Sequence, residues 1–409
     1  MRTDLPADLL ATADGARANE ILRACVHCGF CNATCPTYQE TGDELDGPRG
    51  RIYLIKAVLE EEAAASAGAE RAQRHLDRCL TCRACETTCP SGVAYGDLLE
   101  IGREVAEERV TRGAWERLQR WWLRTQLNRA ARVRFWARLG GLFRPLLPRA
   151  LARQVPRLQR LRPVAARPSI AGGPLAGKAV LLLDGCVQQA ATPNTNAALE
   201  RLLVRRGARV LRLAAGHCCG GLALHLSDAE GARAEARRLL DLVDALPVMP
   251  DAIVSSASGC GVTQRDYARW FAGDARYGAL AERWQACFCD AGELLRELPD
   301  LEAALPQRRV AWHAPCTLQH GQGLTGLVEP LLTRAGYELL PVADSGRCCG
   351  SAGTYSMLQG ELSAALQAGK QRALLAPQPE LIATANVGCQ LHIADGLDVP
   401  VHHWLELLE

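Results

Sequence analysis

Apolar residues recur at two different periods along this 409-residue chain, and the change of period divides it. In residues 46–62, Ile52, Ile55, Val58 and Leu59 fall three or four positions apart, the spacing that lines one side of a helix. Arg17–Arg23 reads as the end of a shorter helix upstream. Beyond residue 175 the helical spacing gives way to short, continuously apolar runs: Ala179–Leu183, Arg209–Leu213 and Ala252–Ser255, then Val310–Trp312, Glu338–Val342 and Leu381–Thr384. Helical patterns such as Ala197–Arg206 and Ala229–Leu246 lie between them. Strands alternating with helices predict parallel sheets covered on both faces.

These runs form one unit written twice. The first copy reads VLLLDGC ending at Cys186, AAGHCCGG with Cys218 and Cys219, and VSSASGC ending at Cys260. The second reads VAWHAPC ending at Cys316, DSGRCCGS with Cys348 and Cys349, and ATANVGC ending at Cys389. The segment Cys289–Leu295 matches His402–Leu408 as a closing strand and helix start. Each cysteine element follows a strand, which is where open α/β sheets place their ligands. The divisions expected are a helical module over 1–110, a connector over 111–174, and α/β repeats over 175–300 and 301–409.

The connector stands apart in charge. Between Arg112 and Arg162 there are 14 arginines and a single acid, Glu116, interleaved with Trp115, Trp121, Trp122, Phe135, Trp136 and Phe143. Its first half reads as one or two amphipathic helices; Pro145, Pro148, Pro156 and Pro163 break up the second. Docking on a partner subunit, contact with an anionic membrane surface and a solvated helix are all consistent with this pattern. No nucleic-acid motif accompanies it, and none is expected as a partner. Elsewhere the composition is that of an ordinary globular protein with a formal charge of +2. The N-terminus lacks an apolar signal region and no run is long enough to span a bilayer, so a cytoplasmic location is expected, with peripheral contact at the inner membrane's cytoplasmic face as a variant.

Eighteen cysteines in such a chain argue for metal ligation and not for disulfides. Residues 25–36 read CVHCGFCNATCP and residues 79–90 read CLTCRACETTCP, the same C-x2-C-x2-C-x3-C-P run twice. This is the ligand pattern of two bacterial-type [4Fe–4S] clusters, in which the fourth cysteine of each run ligates the other cluster. One cluster is thus expected on Cys25, Cys28, Cys31 and Cys89, the other on Cys79, Cys82, Cys85 and Cys35. Structural zinc, the alternative, ordinarily uses paired C-x2-C units. No strand-linked G-x-G-x-x-G signals a dinucleotide, and no base for substrate chemistry stands out, so no catalytic residue is assigned.

The paired Cys-Cys-Gly elements, at 218–220 and 348–350, resemble tandem CCG cysteine-rich domains. With the two-cluster ferredoxin-like module the whole chain is similar to the iron–sulfur subunits of glycolate oxidases. Subunits of anaerobic glycerol-3-phosphate dehydrogenase, lactate-utilisation proteins and heterodisulfide reductase share the layout. The resemblance implies a mostly α two-[4Fe–4S] module followed by two α/β parallel-sheet CCG domains. It implies electron transfer from FAD on partner glycolate oxidase subunits to a quinone-type acceptor, with glycolate, or also D-lactate, as the reductant. In heterodisulfide reductase relatives each CCG domain holds a non-cubane cluster on five cysteines; this chain departs from that pattern, with Thr263 and His392 at the fifth position. The resemblance therefore extends neither to that cluster nor to disulfide reduction. Four thiolates, with His392 in the second domain, would hold a conventional cluster. A further site is therefore expected on Cys316, Cys348, Cys349, Cys389 and His392, and with weaker grounds on Cys186, Cys218, Cys219 and Cys260.

Other residues read as structural. Cys287 and Cys289 lie outside the repeated positions, and His402 and His403 fall in the closing strand. His313 is a strand-end histidine, or it tunes or ligates a site near Cys316; His217 is similarly placed before Cys218. His27 lies among thiolates that already satisfy iron. Pro36 and Pro90 shape the chain after each fourth cysteine, and Gly220 and Gly350 allow backbone approach to whatever the cysteine pairs bind.

Overall fold

The computed structural model describes residues 1–61, 67–148, 152, 154–163, 172–214, 216–298 and 308–408. The expected helix end at 62 and the boundary between the repeats at 300 lie outside these. In the N-terminal module, helices Ala13–Ala24, Pro48–Glu60, Ala67–Asp77 and Tyr95–Arg109 pack around Leu22, Ile55, Leu59, Leu76, Leu98 and Leu99. Thr12 caps the first helix by accepting from the Gly15 amide, and Pro48 opens the second at a position where its missing N–H costs nothing. The helix Ala67–Asp77 escapes the apolar pattern because it packs largely through alanines, Ala69 and Ala72, at the helical spacing.

Each repeat is a four-stranded parallel sheet. The first contains β1 (Ala179–Leu183), β2 (Arg209–Leu211), β3 (Ala252–Ser255) and β4 (Phe288–Asp290) in the order β2-β1-β3-β4. The second contains β5 (Arg309–His313), β6 (Glu338–Leu340), β7 (Leu381–Thr384) and β8 (Val401–His403) in the order β6-β5-β7-β8. The copies match in register: Leu183 lies beside Ser255 in the first, and His313 beside Thr384 in the second. The chain leaves β1 toward β2 on one side and reaches β3 on the other. A crevice therefore opens beyond the carboxyl ends of β1 and β3, and likewise of β5 and β7, the position where open α/β sheets bind ligands.

Both faces of each sheet are covered, which is why the strands read as unbroken apolar runs. Val180, Leu182 and Val254 of the first sheet share one core with Val310, Trp312, Leu381 and Ala383 of the second. The opposite faces pack separately, Leu181, Leu183 and Ile253 against Tyr267 and Trp284, and Ala311 and Ile382 against Leu374 and Ile393. Polar contacts lock the seam: the Ser258 amide donates to Ala385 O at 3.2 Å, and Thr195 Oγ1 donates to Glu406 Oε1 at 2.9 Å. The N-terminal module sits against both repeats. Arg83 pairs with Asp266 at 2.8 Å, Arg269 with Glu100 at 2.9 Å, and the Tyr355 hydroxyl donates to Arg78 O at 3.1 Å.

The connector forms two helices, Ala114–Gln126 and Ala130–Phe143. The acids its own sequence lacks are supplied by the rest of the fold. Arg112 and Arg120 both reach Asp77, at 2.7 and 2.9 Å, Arg124 pairs with Asp228 at 2.7 Å, and Arg129 pairs with Glu235 at 2.9 Å. The basic segment is thus a strap from the cluster module to the first repeat. Arg112 is 3% exposed, so its charge depends on these partners. Asp77→Asn leaves Arg112 with Glu107 and Glu116 only. It should cost about 2 kcal/mol, the worth of a hydrogen bond to a charged group. Chemical denaturation measures this, and hydrogen exchange should place the loosening in residues 111–126.

Candidate iron–sulfur centres

The two cysteine runs adopt the same unusual backbone. His27 and Gly29 in the first have φ of 55° and 85°; Thr81 and Arg83, the matching positions of the second, have 53° and 57°. Left-handed conformations cost non-glycine residues of the order of 1–3 kcal/mol and persist where the surroundings demand them. Here they curl each loop around its own cysteines, of which Cys28 alone stays exposed. Cys25, Cys28, Cys31 and Cys89 line one cleft together with Pro48, Ile52 and Tyr95. Cys85 also borders this cleft, on the side toward the second set. Burial holds the Cys31 thiol up at about 11, and neighbouring Cys25 and Cys28 add to the effect.

Cys35, Cys79, Cys82 and Cys85 gather on the other side. Burial drives the Cys85 thiol far above its ordinary value, followed by the proximity of Cys82, Cys79 and, more weakly, Cys35. The same holds for Cys82, where burial comes first and Cys316 and Cys35 follow. Thiols this reluctant to ionise in an apolar pocket become thiolates when a cation replaces their protons. Both sets therefore suit a thiolate-bound metal, and eight sulfurs in two facing groups match a pair of iron–sulfur cubanes better than zinc.

The two sets have different surroundings. The first loop faces outward: Cys28 is exposed, between exposed Val26 and Phe30 in the same loop. The second is covered by the second repeat, where Leu80 and Cys82 pack with Cys316, Cys348 and Tyr355. A buried polar network, not signalled by any motif, also supports the second set. Arg51 is 1% exposed; its Nε donates to His75 O at 2.8 Å, its Nη2 to Thr37 Oγ1 at 3.1 Å and its Nη1 to Cys35 Sγ at 3.9 Å. Asp46, wholly buried, lies 3.7 Å from Arg51, 2.9 Å from Arg78 and 2.7 Å from His75 Nδ1. The Tyr95 hydroxyl points at Cys79 Sγ from 3.6 Å. Two arginines against one aspartate leave net positive charge beside these sulfurs.

In the repeats, all four cysteines of each copy fall around the sheet crevice. Cys186 and Cys218 sulfurs are 3.7 Å apart in the first copy, and Cys316 and Cys348 are 3.8 Å apart in the second. Cys349 and Cys389 approach to 3.3 Å. Gly220 and Gly350 hold φ of 87° and 88°, and a Cβ on either would strike the carbonyl oxygen of Ala232 or Ser363. Glycine at both positions thus permits close packing on the following helix. His392 is not turned into the crevice: its Nε2 lies 3.3 Å from Ser363 Oγ. His313 stands there instead, with a ring nitrogen and the sulfurs of Cys349 and Cys389 all within 4.8 Å of one another. Cys287 and Cys289 lie apart, half-buried, and His403 caps the last helical turn by accepting from the Leu405 amide.

Comparison with known proteins places this geometry. Residues 21–93 match the 4Fe-4S dicluster domain model, and residues 180–264 and 310–394 each match the cysteine-rich domain model. The chain is 45% identical over 412 residues to the glycolate oxidase iron-sulfur subunit of Escherichia coli K12, covering all of this chain and 98% of that protein. The chain belongs to the glycolate oxidase iron–sulfur subunit family. A probable glycolate oxidase iron-sulfur subunit of Bacillus subtilis is 31% identical, covering 91% of this chain and 88% of that protein. One chain of a CoM/CoB fumarate reductase from Methanothermobacter marburgensis is 26% identical, covering 95% of this chain and 72% of that protein. A solved structure of a hypothetical protein from Helicobacter pylori aligns over 97% of this chain and 72% of its own, with a TM-score of 0.54 at 8% identity, a likeness of fold alone.

For a member of this family, the buried guanidinium is the feature to test. Cations near cluster sulfurs favour the reduced, more negative state. Arg51→Gln should lower the midpoint potential of one cluster by about 60 mV, a tenfold shift in a one-electron equilibrium, and leave the other unmoved. An EPR-monitored redox titration measures both.

Proposed function

We propose that this chain is the electron-transfer subunit of a flavin-dependent glycolate dehydrogenase, taking electrons from FAD on partner chains and passing them to a quinone-type acceptor. Oxidation of D-lactate to pyruvate by the same complex fits this role equally. The observation that supports it most is the pair of facing four-cysteine sets on a chain that offers no substrate base and no dinucleotide motif. Bound clusters would supply one-electron steps after a two-electron flavin reduction. The protein's part is to hold eight sulfurs in place, keep them dry and leave one edge open. The ligand assignments, Cys25, Cys28, Cys31 and Cys89 for one cluster and Cys35, Cys79, Cys82 and Cys85 for the other, belong to this proposal.

The open edge sets the direction. Val26 and Phe30, each more than half exposed, flank Cys28 along the loop, whereas the second loop is capped by the second repeat. The flavin-bearing partner docks at this first edge, where an apolar surface can exclude water next to the outermost sulfur. The purified chain should be brown, hold about eight iron atoms, and leave glycolate untouched in the absence of the flavoprotein. Phe30→Asp should keep the iron and slow reduction by the partner at least tenfold. Glycolate turnover by this polypeptide alone overturns the reading.

The strap supports a peripheral location. Its buried side is taken up by the ion pairs described above, but Trp115, Trp121, Phe135, Leu142, Phe143 and Leu146 remain exposed, among exposed Arg117, Arg132 and Arg138. Among the described residues no helix is long and apolar enough to cross a membrane. Aromatic and leucine side chains beside arginines suit the interface of an anionic bilayer on the cytoplasmic side. The chain should float with phosphatidylglycerol vesicles at low salt, and Trp115→Ser with Phe143→Ser should abolish this. Flotation that survives the double substitution, or never occurs, removes the membrane from the account.

A further inference from the structure

Two buried arginines stand outside the cluster chemistry. Arg103, on the helix Tyr95–Arg109, and Arg120, on the first helix of the strap, are each 8% exposed. Adjacent residues hold them side by side. Arg103 Nη2 donates to Leu76 O at 2.8 Å and to Cys79 O at 3.0 Å, and Arg120 Nη2 donates to Asp77 Oδ2 at 2.9 Å. Arg103 Nε and Arg120 Nη1 are buried with no hydrogen-bond partner in the protein. A charged N–H placed so has lost its hydration with nothing in exchange, which costs more than for a neutral group.

Both side chains line one cavity of about 320 Å³, its solvent mouth included, at the junction of all parts of the molecule. The cluster module supplies Asp77 and Arg103, the strap Arg120, the first repeat His225, and the second repeat Thr354 and Gln359. Cys79 borders it too, with its carbonyl already taken by Arg103 Nη2. The lining is positive. Asp77 is its one carboxylate, and Arg112 shares that group at 2.7 Å. Among the described residues Arg103 pairs with no carboxylate; its partners are carbonyls. His225 adds no charge, because burial, and then Arg103, hold its imidazole down at about 4. The repeats also differ here. After its Cys-Cys-Gly element the first runs directly into the helix Gly221–His225. In the second, Ala352 and Gly353 take φ of 32° and 63°, and the helix starts only at Tyr355. Ala352 in this turn and Tyr355 after it belong to the cavity wall.

We infer that this cavity binds one small oxyanion, a carboxylate or a phosphate group, between Arg103 and Arg120. Its oxygens accept from Arg103 Nε and Arg120 Nη1, the charge-assisted pairing to which guanidinium groups are suited. Thr354 and Gln359 offer further donors from the second repeat. A cavity at the small end of the range for ligand sites suits an anion of a few heavy atoms and excludes a nucleotide. The ligand touches module, strap and second repeat at once, so its binding stabilises their docking by mass action. The inference goes beyond the electron-transfer reading and stands whichever donor reduces the clusters.

Titration calorimetry on the full-length chain, purified without oxygen in Tris chloride, tests it with inorganic phosphate, acetate and glycolate as probes. At least one should bind once per chain with a dissociation constant of about 1 mM or tighter. Binding of phosphate alone identifies a phosphate group as the ligand, binding of the two acids alone a carboxylate, and binding of all three a general oxyanion site; each supports the inference. Arg103→Gln, which breaks no ion pair, should weaken binding by about tenfold or more, the loss of one hydrogen bond from a charged donor. Arg117→Gln, on the exposed side of the strap, should leave it unchanged. Absence of saturable heat with all three probes overturns the site, as does binding that survives Arg103→Gln or is lost in Arg117→Gln. Should Arg103→Gln fail to fold, Leu358→Trp fills the cavity from the second repeat; it should abolish binding, and binding retained in that variant overturns the site.

Discussion

Sulfur buried in apolar surroundings keeps its proton until a cation displaces it, and most of this architecture follows from that constraint. Sixteen of the 18 cysteines stand in the two N-terminal runs or at the ends of sheet strands, and every one of the 18 is unpaired by disulfide. As neutral thiols they are cheap to bury; as thiolates they are costly unless metal and cations surround them. The fold meets the cost locally. Left-handed loop residues curl around the sulfurs, Arg51 and Tyr95 stand behind one set, and Lys370 stands behind another. A site arranged to stabilise negative charge on sulfur is suited to holding electrons.

Much of this was legible in the sequence, because repetition is a strong signal. The doubled cysteine runs announced the module, and the 130-residue offset between Cys186 and Cys316 announced the paired sheets. Strands β1, β3 and β7 begin and end where their apolar runs do, since sheets buried on both faces write unbroken patterns. β2 and β6 stop short of the expected ends, as Leu213 and Val342 pack into cores beyond the ladder. The helix at Ala67–Asp77 was silent because alanine packing leaves little contrast.

The misses share a cause: each depends on residues far apart in sequence. The strap's arginines looked unpaired because their acids, Asp77, Asp228 and Glu235, lie in other elements. His392 occupied the position of a missing cysteine and so drew attention, yet a helix places its ring against Ser363, while a strand end delivers His313 to the sulfurs. Spacing predicts ligands well within one loop, where the chain's own geometry fixes them. It predicts them poorly where a helix and a strand must meet. A plainer clue was the rarity of lysine: in a chain that uses arginine almost everywhere, Lys370 is one of three and lies on the buried side of its helix.

The core common to β1, β3, β5 and β7 has a bearing on how such a molecule could diversify. Neither repeat can be released as a free-standing domain, for separation would bare Val180, Leu182, Val310 and Trp312 to water. The duplicated halves are therefore obliged to stay together, whatever each one binds. Under that obligation the lining of the two crevices can diverge while the shared core stays fixed.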